Sequence, residues 1–365
     1  MRAKSRSRAA SATSRVTSSG LPSSAARVAS PTFASQHLPA YLLTAATDDD
    51  VDEPDTHTSG AMETLRRLAE TEFIHYDKFE EHVGPQLRLI EIHADSSGTT
   101  SYINENLTEG DLLSRLVSSE ASSSRAVDAS CQLVTMRTSS RGTATEGVGM
   151  SKAGFLQLID AFQIDRCILQ LVQLNSYGLH MFSNGHDGCT YFVADMRYEL
   201  FWSFDPTTMR TRGILIVRRP DDRYFGAKYF GRALEKLVSS VKQQSAHIFN
   251  PYMLLFVALV DLASWVEESR YGEWKRIIDF EHTTGYGPYG GLSNGKAELP
   301  IDHITSTAKA IEATSVHFAR FQRHMDIIDA LIAELEDGST WRNWFQHPTA
   351  KRQLELCERD TCSLC

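Results

Sequence analysis

The segment from 177 to 219 constrains the fold most, because it is the longest run in the chain with strand chemistry. Aromatic and β-branched residues dominate it, and turn residues interrupt it at 184–188 and 205–208. Between 196 and 204, large apolar residues alternate with Arg197, Glu199 and Ser203, which is the pattern of a strand with one buried face. The segment 213–217 is apolar throughout and predicts a central strand. We therefore expect an antiparallel meander that carries the core of one domain.

The residues on either side of the meander predict more strands and several helices. Strand patterns lie at 86–93 and 131–137, and capping patterns at Thr108 and Ser151 open short helices. After Arg219 the patterns are helical, at 225–244, 251–281 and 302–336. The order predicts an α/β (α+β) fold, in which an antiparallel-rich sheet flanked by helices is followed by a long antiparallel helical hairpin.

Composition divides the chain into four segments. Residues 1–60 form a Ser/Arg-rich and then acidic tail, which has too few apolar residues to fold and is predicted to be disordered. Residues 61–246 are predicted to form a mixed α/β domain, and 247–337 a hairpin or stalk-like helical region. Residues 338–365 are predicted to be a C-terminal tail.

The charge is spread unevenly along the chain. Residues 1–47 hold six Lys or Arg and no acid, which leaves 31 basic against 46 acidic side chains in the rest, a net charge of −15. An acidic body argues against a nucleic-acid partner and is compatible with cation binding.

Hydropathy predicts no transmembrane segment, because no stretch reaches 18 consecutive apolar residues. We therefore expect a cytoplasmic protein that reaches a membrane only through its partners. The basic, serine-rich N-terminus leaves a mitochondrial transit peptide as the alternative.

The last predicted helix carries a heptad pattern. One series of positions repeats every seven residues and is apolar throughout: Ile304, Ile311, Phe318, Met325 and Ile332. A second series lies beside it: Thr307, Thr314, Phe321, Ile328 and Leu335. Such a pattern predicts a coiled-coil or hairpin seam. The partner is either the 251–281 helix, which is the simpler alternative, or the same helix of another subunit.

Nothing in the sequence predicts an enzyme. The run from Gly285 to Gly290 matches G-x-G-x-x-G, but it follows a helix and Pro288 removes one backbone amide, so it does not predict a dinucleotide site. We expect no catalytic residues and no firmly bound cofactor. Asp261 and Glu268 are weak candidates for a hydrated Mg²⁺ ion, because their spacing places both carboxylates on one helix face. The alternative is an ordinary solvated face.

Four stretches carry a family resemblance. They are the Tyr-Gly-Leu-His-Met-Phe run at 177–182, the Thr-Arg-Gly-Ile-Leu strand at 211–215, Ser264-Trp265 in the helix that follows Asn250-Pro251, and the Glu-His-Thr-Thr-Gly turn at 281–285. In these, residues 85–337 resemble the cytosolic region of fungal CorA-like magnesium transporters. The resemblance implies an α/β sheet followed by long antiparallel helices that lead to a two-span pore, built by five subunits around a Gly-Met-Asn motif.

The chain departs from that family at the pore. Gly149-Met150 is followed by Ser151, and no stretch after Glu336 is apolar enough to span a bilayer. We therefore expect a soluble domain that is not itself a pore, either from a truncated transporter gene or as a soluble relic of one. Its role would be regulation or assembly and would involve Mg²⁺, further copies of the chain or membrane-bound CorA-like subunits. The alternative is an interaction module without an ion role, which pairs through the 302–337 helix.

Overall fold

The computed structural model describes residues 56–79, 87–95, 99–121, 129–141, 145–183, 188–218, 228–284 and 301–336. These belong to one compact unit that begins at Thr56. The helices are α1 (Thr56–Phe73), α2 (Glu109–Ala121), α3 (Lys152–Ala161), α4 (Ile168–Gln173), α5 (Lys228–Gln243), α6 (Met253–Thr284) and α7 (Ile301–Glu336). The strands are β1 (Leu87–Ala94), β2 (Thr100–Leu107), β3 (Ala129–Arg141), β4 (Thr145–Val148), β5 (Gly178–Ser183), β6 (Cys189–Ala194), β7 (Tyr198–Asp205) and β8 (Arg210–Val217).

These eight strands form one sheet in the order β2-β1-β3-β8-β7-β6-β5, with β4 paired to β3. The predicted meander is confirmed, because β5 to β8 pair with their neighbours in antiparallel register. The pairing of β3 with β8 is parallel and joins the meander to the first three strands. The mixed α/β fold with long C-terminal helices is therefore as predicted.

Helices cover both faces of the sheet. On one face, Phe155 of α3 contacts Phe201 of β7 and Phe73 of α1. On the other face, Tyr191 and Trp202 lie in a core shared with α5, α6 and α7. This core runs through both segments that the sequence analysis separated at residue 247.

The prediction that β7 has one solvated face is wrong. Glu199 is buried, and so is Arg197, which immediately precedes the strand. Both faces are covered by helices. The charged side chains are buried in ion pairs, Arg197 with Asp195 and Glu199 with Arg218, instead of being hydrated. Alternation of polar and apolar residues therefore does not show by itself that one face of a strand is solvated.

Local signals placed several helix ends correctly. Ser151 caps α3 by accepting a hydrogen bond from the backbone N–H of Gly154. Thr108 accepts one from Asp111 at the start of α2. The start of α6 was predicted two residues early, because Asn250 caps a turn at Tyr252 before the helix begins at Met253.

The helices α6 and α7 form the predicted antiparallel hairpin. Tyr252 near the start of α6 hydrogen-bonds Glu334 near the end of α7. Farther along, Trp265 contacts Phe321, and Glu273 contacts His317. No helix in the described part of the chain is long and apolar enough to cross a membrane.

Candidate functional site

The most unusual feature of the structure is a group of ionisable side chains enclosed between the sheet and the α6–α7 hairpin. We call Asp195, Arg197, Asp261 and His324 the buried charge cluster. Each of the four is less than a tenth exposed. Charged side chains are rarely buried to this extent unless they are paired, so the cluster is the first place to look for function.

The turn between β6 and β7 provides the first two members of the cluster. Asp195 closes this turn, because its Oδ1 accepts hydrogen bonds from the backbone N–H groups of Arg197 and Tyr198 at 2.7 and 3.0 Å. Asp is favoured at the first position of a turn for this reason. Its Oδ2 accepts a hydrogen bond from the Nε of Arg197 at 2.7 Å. The turn sequence thus sets the position of both charges.

Arg197 connects the sheet to α6. Its Nη2 lies 2.9 Å from Oδ2 of Asp261, although the N–H is not aligned well enough for a hydrogen bond. Burial, together with the charge of Asp261, raises the pKa of the Tyr198 hydroxyl. The guanidinium lies 5.1 Å from the ring centroid of Trp265, an attractive cation–π arrangement. A single arginine therefore contacts a strand turn and two positions on α6.

His324 extends the cluster to α7. Its ring lies against Trp265, and its Nδ1 is 2.6 Å from the carbonyl oxygen of Arg320. Because a carbonyl only accepts, Nδ1 carries the proton in the neutral ring. Its Nε2 faces Oδ2 of Asp195 at 3.8 Å, which is too far for a hydrogen bond. A protonated His324 would have a carboxylate in front of its second N–H.

A second buried ion pair, between Arg218 and Glu199, adjoins the turn between β6 and β7. Arg218 donates two hydrogen bonds to Glu199, at 2.6 and 3.0 Å. It also donates to the backbone carbonyls of Asp195 and Ser176. Arg218 thus provides a donor for the carbonyl group of Asp195 in the turn and for that of Ser176 before β5.

A similar contact occurs two turns towards the start of α7. The Nδ1 of His317 lies 2.9 Å from Oε1 of Glu273 on α6. Arg276 pairs with the same oxygen at 2.8 Å. Since His317 and His324 are seven residues apart, both point from one face of α7 towards α6.

Burial and pairing shift the pKa values of the cluster in different directions. Burial by itself would raise the pKa of Asp195, but the charges of Arg197 and His324 outweigh it and lower that pKa. Burial raises the pKa of Asp261, since Arg197 offsets it only in part. Burial also lowers the pKa of His324 and of His317. The histidines therefore favour their neutral form in the folded chain.

These polar contacts set the rotation of α7 about its own axis. Among its described side chains, the buried residues of the helix are His317, His324, Ile327, Ile328, Leu331 and Glu334. A histidine placed against one particular carboxylate fixes rotation and register in a way that apolar contacts alone do not.

As a consequence, half of the predicted heptad seam does not face α6. We call the exposed series Ile311, Phe318, Met325 and Ile332 the α7 stripe. Its members are 57%, 51%, 40% and 38% exposed. The side chains of Ile304 and Thr307, which the pattern also included, are outside the described part. Of the two partners left open for the seam, the helix α6 contacts part of the second series, as Trp265 contacts Phe321, while the α7 stripe stays partly exposed.

The two residues considered as magnesium ligands each have a basic partner. Asp261 is buried beside Arg197, and Glu268 is half exposed and paired with Lys236. Mg²⁺ requires several oxygen ligands in near-octahedral geometry, and a basic partner at each carboxylate opposes it. Among the described residues no three His, Cys, Asp or Glu side chains are grouped to hold a metal ion.

One cavity among the described residues is lined by a cysteine and a serine. This cavity of about 320 Å³ lies where β6 begins and β7 ends. The residues that line it include Gln163, Cys189 and Ser203. Burial raises the pKa of the Cys189 thiol to about 12, so it is protonated at neutral pH. The hydroxyl of Ser203 donates to the carbonyl of Phe162. Neither group is activated as a nucleophile.

Sequence reasoning missed most of the buried charge cluster. Only Asp261 was singled out, and for a different role. A signal was present in the spacing of His317 and His324 beside the heptad series, which places two polar residues on one flank of an apolar seam. Asp195 and Arg197 could not be recognised, because nothing local shows that a turn will be covered by helices 60 to 130 residues later. Compared with known protein families and with curated proteins, the chain matches none.

Proposed function

We propose that this chain is a protein-interaction domain, in which α7 presents its stripe to a helix of another polypeptide. The observation that carries the proposal is the division of α7 into two faces. One face is held against α6 and the sheet, and the side chains of the α7 stripe are each between 38% and 57% exposed. An exposed apolar row at heptad spacing is typical of a helix that pairs with another helix.

Scattered exposed apolar residues would not support this proposal, since they are normal on protein surfaces. The α7 stripe differs because its four members recur every seven residues along one side of the helix, with two helical turns between each member and the next. The row extends over 21 residues, about 32 Å of helix at 1.5 Å per residue.

The proposal is tested by incorporating the photoreactive amino acid p-benzoylphenylalanine at position 318 or at position 316 of the full chain. Val316 is a matched control, because it is 49% exposed on the same helix but lies off the stripe. Irradiation of cells that express the chain is expected to give a discrete adduct from position 318 and none from position 316. Equal adducts from both positions, or none from either, would rule out the proposed surface.

A second candidate is an assembly or regulatory role beside a magnesium transporter. It is favoured by the agreement between the observed architecture, a mixed sheet followed by a long antiparallel hairpin, and what the CorA-like resemblance implies. The ion-sensing half of this candidate has no supporting site among the described residues. Ion sensing predicts that Mg²⁺ raises the melting temperature of the chain more than NaCl of equal ionic strength does. An equal response to both salts would exclude ion sensing.

A further inference from the structure

The C-terminal half of α7 carries acidic residues on the same side as the α7 stripe. Asp329 follows Met325 by four residues, and Glu336 follows Ile332 by four, so all four lie on one side of the helix. Each of these side chains is exposed. We call the four residues the distal α7 surface. Because it combines apolar contact area with two negative charges, it fits a partner that is both apolar and basic.

The charges of this surface are not neutralised within the described part of the chain. Neither Asp329 nor Glu336 forms an ion pair or a side-chain hydrogen bond with another described residue. Glu334 differs, because it is buried and bonded to Tyr252. The last turn of α7 has no basic residue, although the partial negative charge at the C-terminus of a helix favours cations there. A basic group beside the end of α7 would therefore be stabilising.

The segment that follows α7 in the sequence has the complementary composition. We call residues 338–352, which lie outside the described part of the structure, the C-terminal basic segment. It has no acidic residue and three basic ones, Arg342, Lys351 and Arg352. It also has three large aromatic residues within five positions, Trp341, Trp344 and Phe345. Aromatic side chains of this size gain free energy when they leave water for an apolar surface.

We propose that the C-terminal basic segment binds the distal α7 surface of its own chain. In this arrangement its aromatic side chains contact Met325 and Ile332, and its basic side chains lie beside Asp329 and Glu336. The inference rests on the proposed function, since it describes how the same stripe is regulated. A partner helix has to displace the segment before it can bind along the whole row.

The length of the chain allows this contact. Met325 lies eleven residues before Glu336, which corresponds to about 17 Å of helix at 1.5 Å per residue. The C-terminal basic segment spans about 21 Å if it is helical and about 46 Å if it is extended, so it reaches Met325 in either conformation.

The covalent connection also makes a weak contact sufficient. A segment on a short linker is present at an effective concentration of millimolar order, which a separate chain does not reach in ordinary solutions. Residues 1–47 are basic too, but the whole domain lies between them and the end of α7. They therefore lack the short connection that favours the C-terminal basic segment.

The contact is tested by an intramolecular photo-crosslink in the purified full chain at low concentration. The photoreactive amino acid p-benzoylphenylalanine is incorporated at position 325 or, as the control, at position 323. Arg323 is exposed on the same helix but lies on nearly the opposite side from Met325. Monomers are digested after Asp and Glu residues, which separates α7 from the segment, and the adducts are identified by mass spectrometry. Position 325 should give about ten times more adduct to the C-terminal basic segment than position 323 does.

Charge reversal tests whether the basic residues recognise the acidic ones. Arg342→Glu, Lys351→Glu and Arg352→Glu together should reduce the adduct from position 325 by about fivefold. Asp329→Lys with Glu336→Lys should reduce it to a similar extent. Combining both sets of changes restores opposite charges across the contact and should restore the adduct.

A matched control keeps the change in net charge and moves it elsewhere. Lys4→Glu, Arg6→Glu and Arg8→Glu together should leave the adduct from position 325 unchanged. The inference would be overturned by equal adducts from positions 325 and 323, by an adduct that joins position 325 to residues 1–47 instead, or by an adduct that resists reversal of the three basic residues.

The effect on partner binding separates this inference from the proposed function. In cells, reversal of the three basic residues should raise the partner adduct from position 318 about three- to tenfold, because a larger fraction of the chain has a free stripe. A partner adduct without an intramolecular adduct from position 325 would overturn the inference and leave the interaction domain supported. An intramolecular adduct without a partner adduct in either background would support the contact and rule out the interaction domain.

Discussion

The imidazole ring of His324 on α7 lies against the indole ring of Trp265 on α6, with ring centroids 4.4 Å apart. The same indole contacts the guanidinium of Arg197. One aromatic side chain therefore joins a strand turn, the sixth helix and the seventh. Because His324 is held on this side of α7, Phe318 is left on another side, exposed to solvent. The orientation of the proposed binding surface is thus a consequence of a buried polar contact.

The stability of the domain should decrease on mild acidification. Burial lowers the pKa of His324 and of His317 below the ordinary value of 6.5. As the pH falls through 6.5, the unfolded chain takes up protons that the folded chain does not accept until a lower pH, so the free energy of unfolding falls. At lower pH the lowered pKa of Asp195 adds a loss below its ordinary value of 3.8, whereas the raised pKa of Asp261 acts in the opposite direction. Urea unfolding followed by circular dichroism at pH 7.5 and 5.5 measures the change.

Two variants separate His324 from the other histidines in this experiment. His324→Gln removes the group that resists protonation and should reduce the difference in stability between pH 7.5 and 5.5. His247→Gln changes an exposed histidine and should preserve that difference. A full difference in His324→Gln would assign the effect to another residue.

Removing the central cation should destabilise the domain severely. Arg197→Met leaves Asp195 and Asp261 buried without their basic partner, which costs about 3–5 kcal/mol for a broken buried ion pair. Arg270→Met breaks an exposed pair with Glu267 instead, worth at most about 1 kcal/mol. Urea unfolding midpoints of the two variants measure the contrast, and similar midpoints would show that the buried charge cluster does not anchor the hairpin.

The two faces of α7 should respond differently to substitution. Leu331 is fully buried in the core, so Leu331→Ala should lower the free energy of unfolding by about 2–5 kcal/mol. Phe318→Glu changes a side chain that is half exposed and should alter the stability of the monomer by only about 0.5 kcal/mol. Thermal unfolding of dilute samples tests this, and a large loss in Phe318→Glu would mean that the stripe is part of the core.

Adding a side chain in the middle of β8 should destabilise the domain. A Cβ at Gly213 would lie 3.0 Å from the Cβ of Trp202 and 3.2 Å from a methyl carbon of Leu133. Since neighbours on both adjacent strands are packed in the core, Gly213→Ala should cost about 1–3 kcal/mol through overpacking. Gly110→Ala is the control, because a Cβ there meets nothing within 4 Å. Equal melting temperatures for both variants would contradict the close approach.

Much of the fold could be predicted from local sequence. The strands from 178 to 217 can be recognised by their β-branched and aromatic residues between turn residues. The start of α3 can be recognised by its capping residue, and α7 by its periodicity. These signals are local because a few neighbouring residues fix whether the backbone is extended or helical. The parallel pairing of β3 with β8 carries no such signal, since it joins segments about 80 residues apart.

The sequence by itself determined that α7 would carry an apolar heptad series, and it placed His317 and His324 on the flank of that series. Only the tertiary structure decided which face would be buried. Asp195, Asp261 and Glu273 come from a turn and from another helix, and their position opposite the two histidines depends on how the whole hairpin lies on the sheet. Periodicity fixes the angle between two faces of one helix, but the choice between them depends on partners that are distant in sequence.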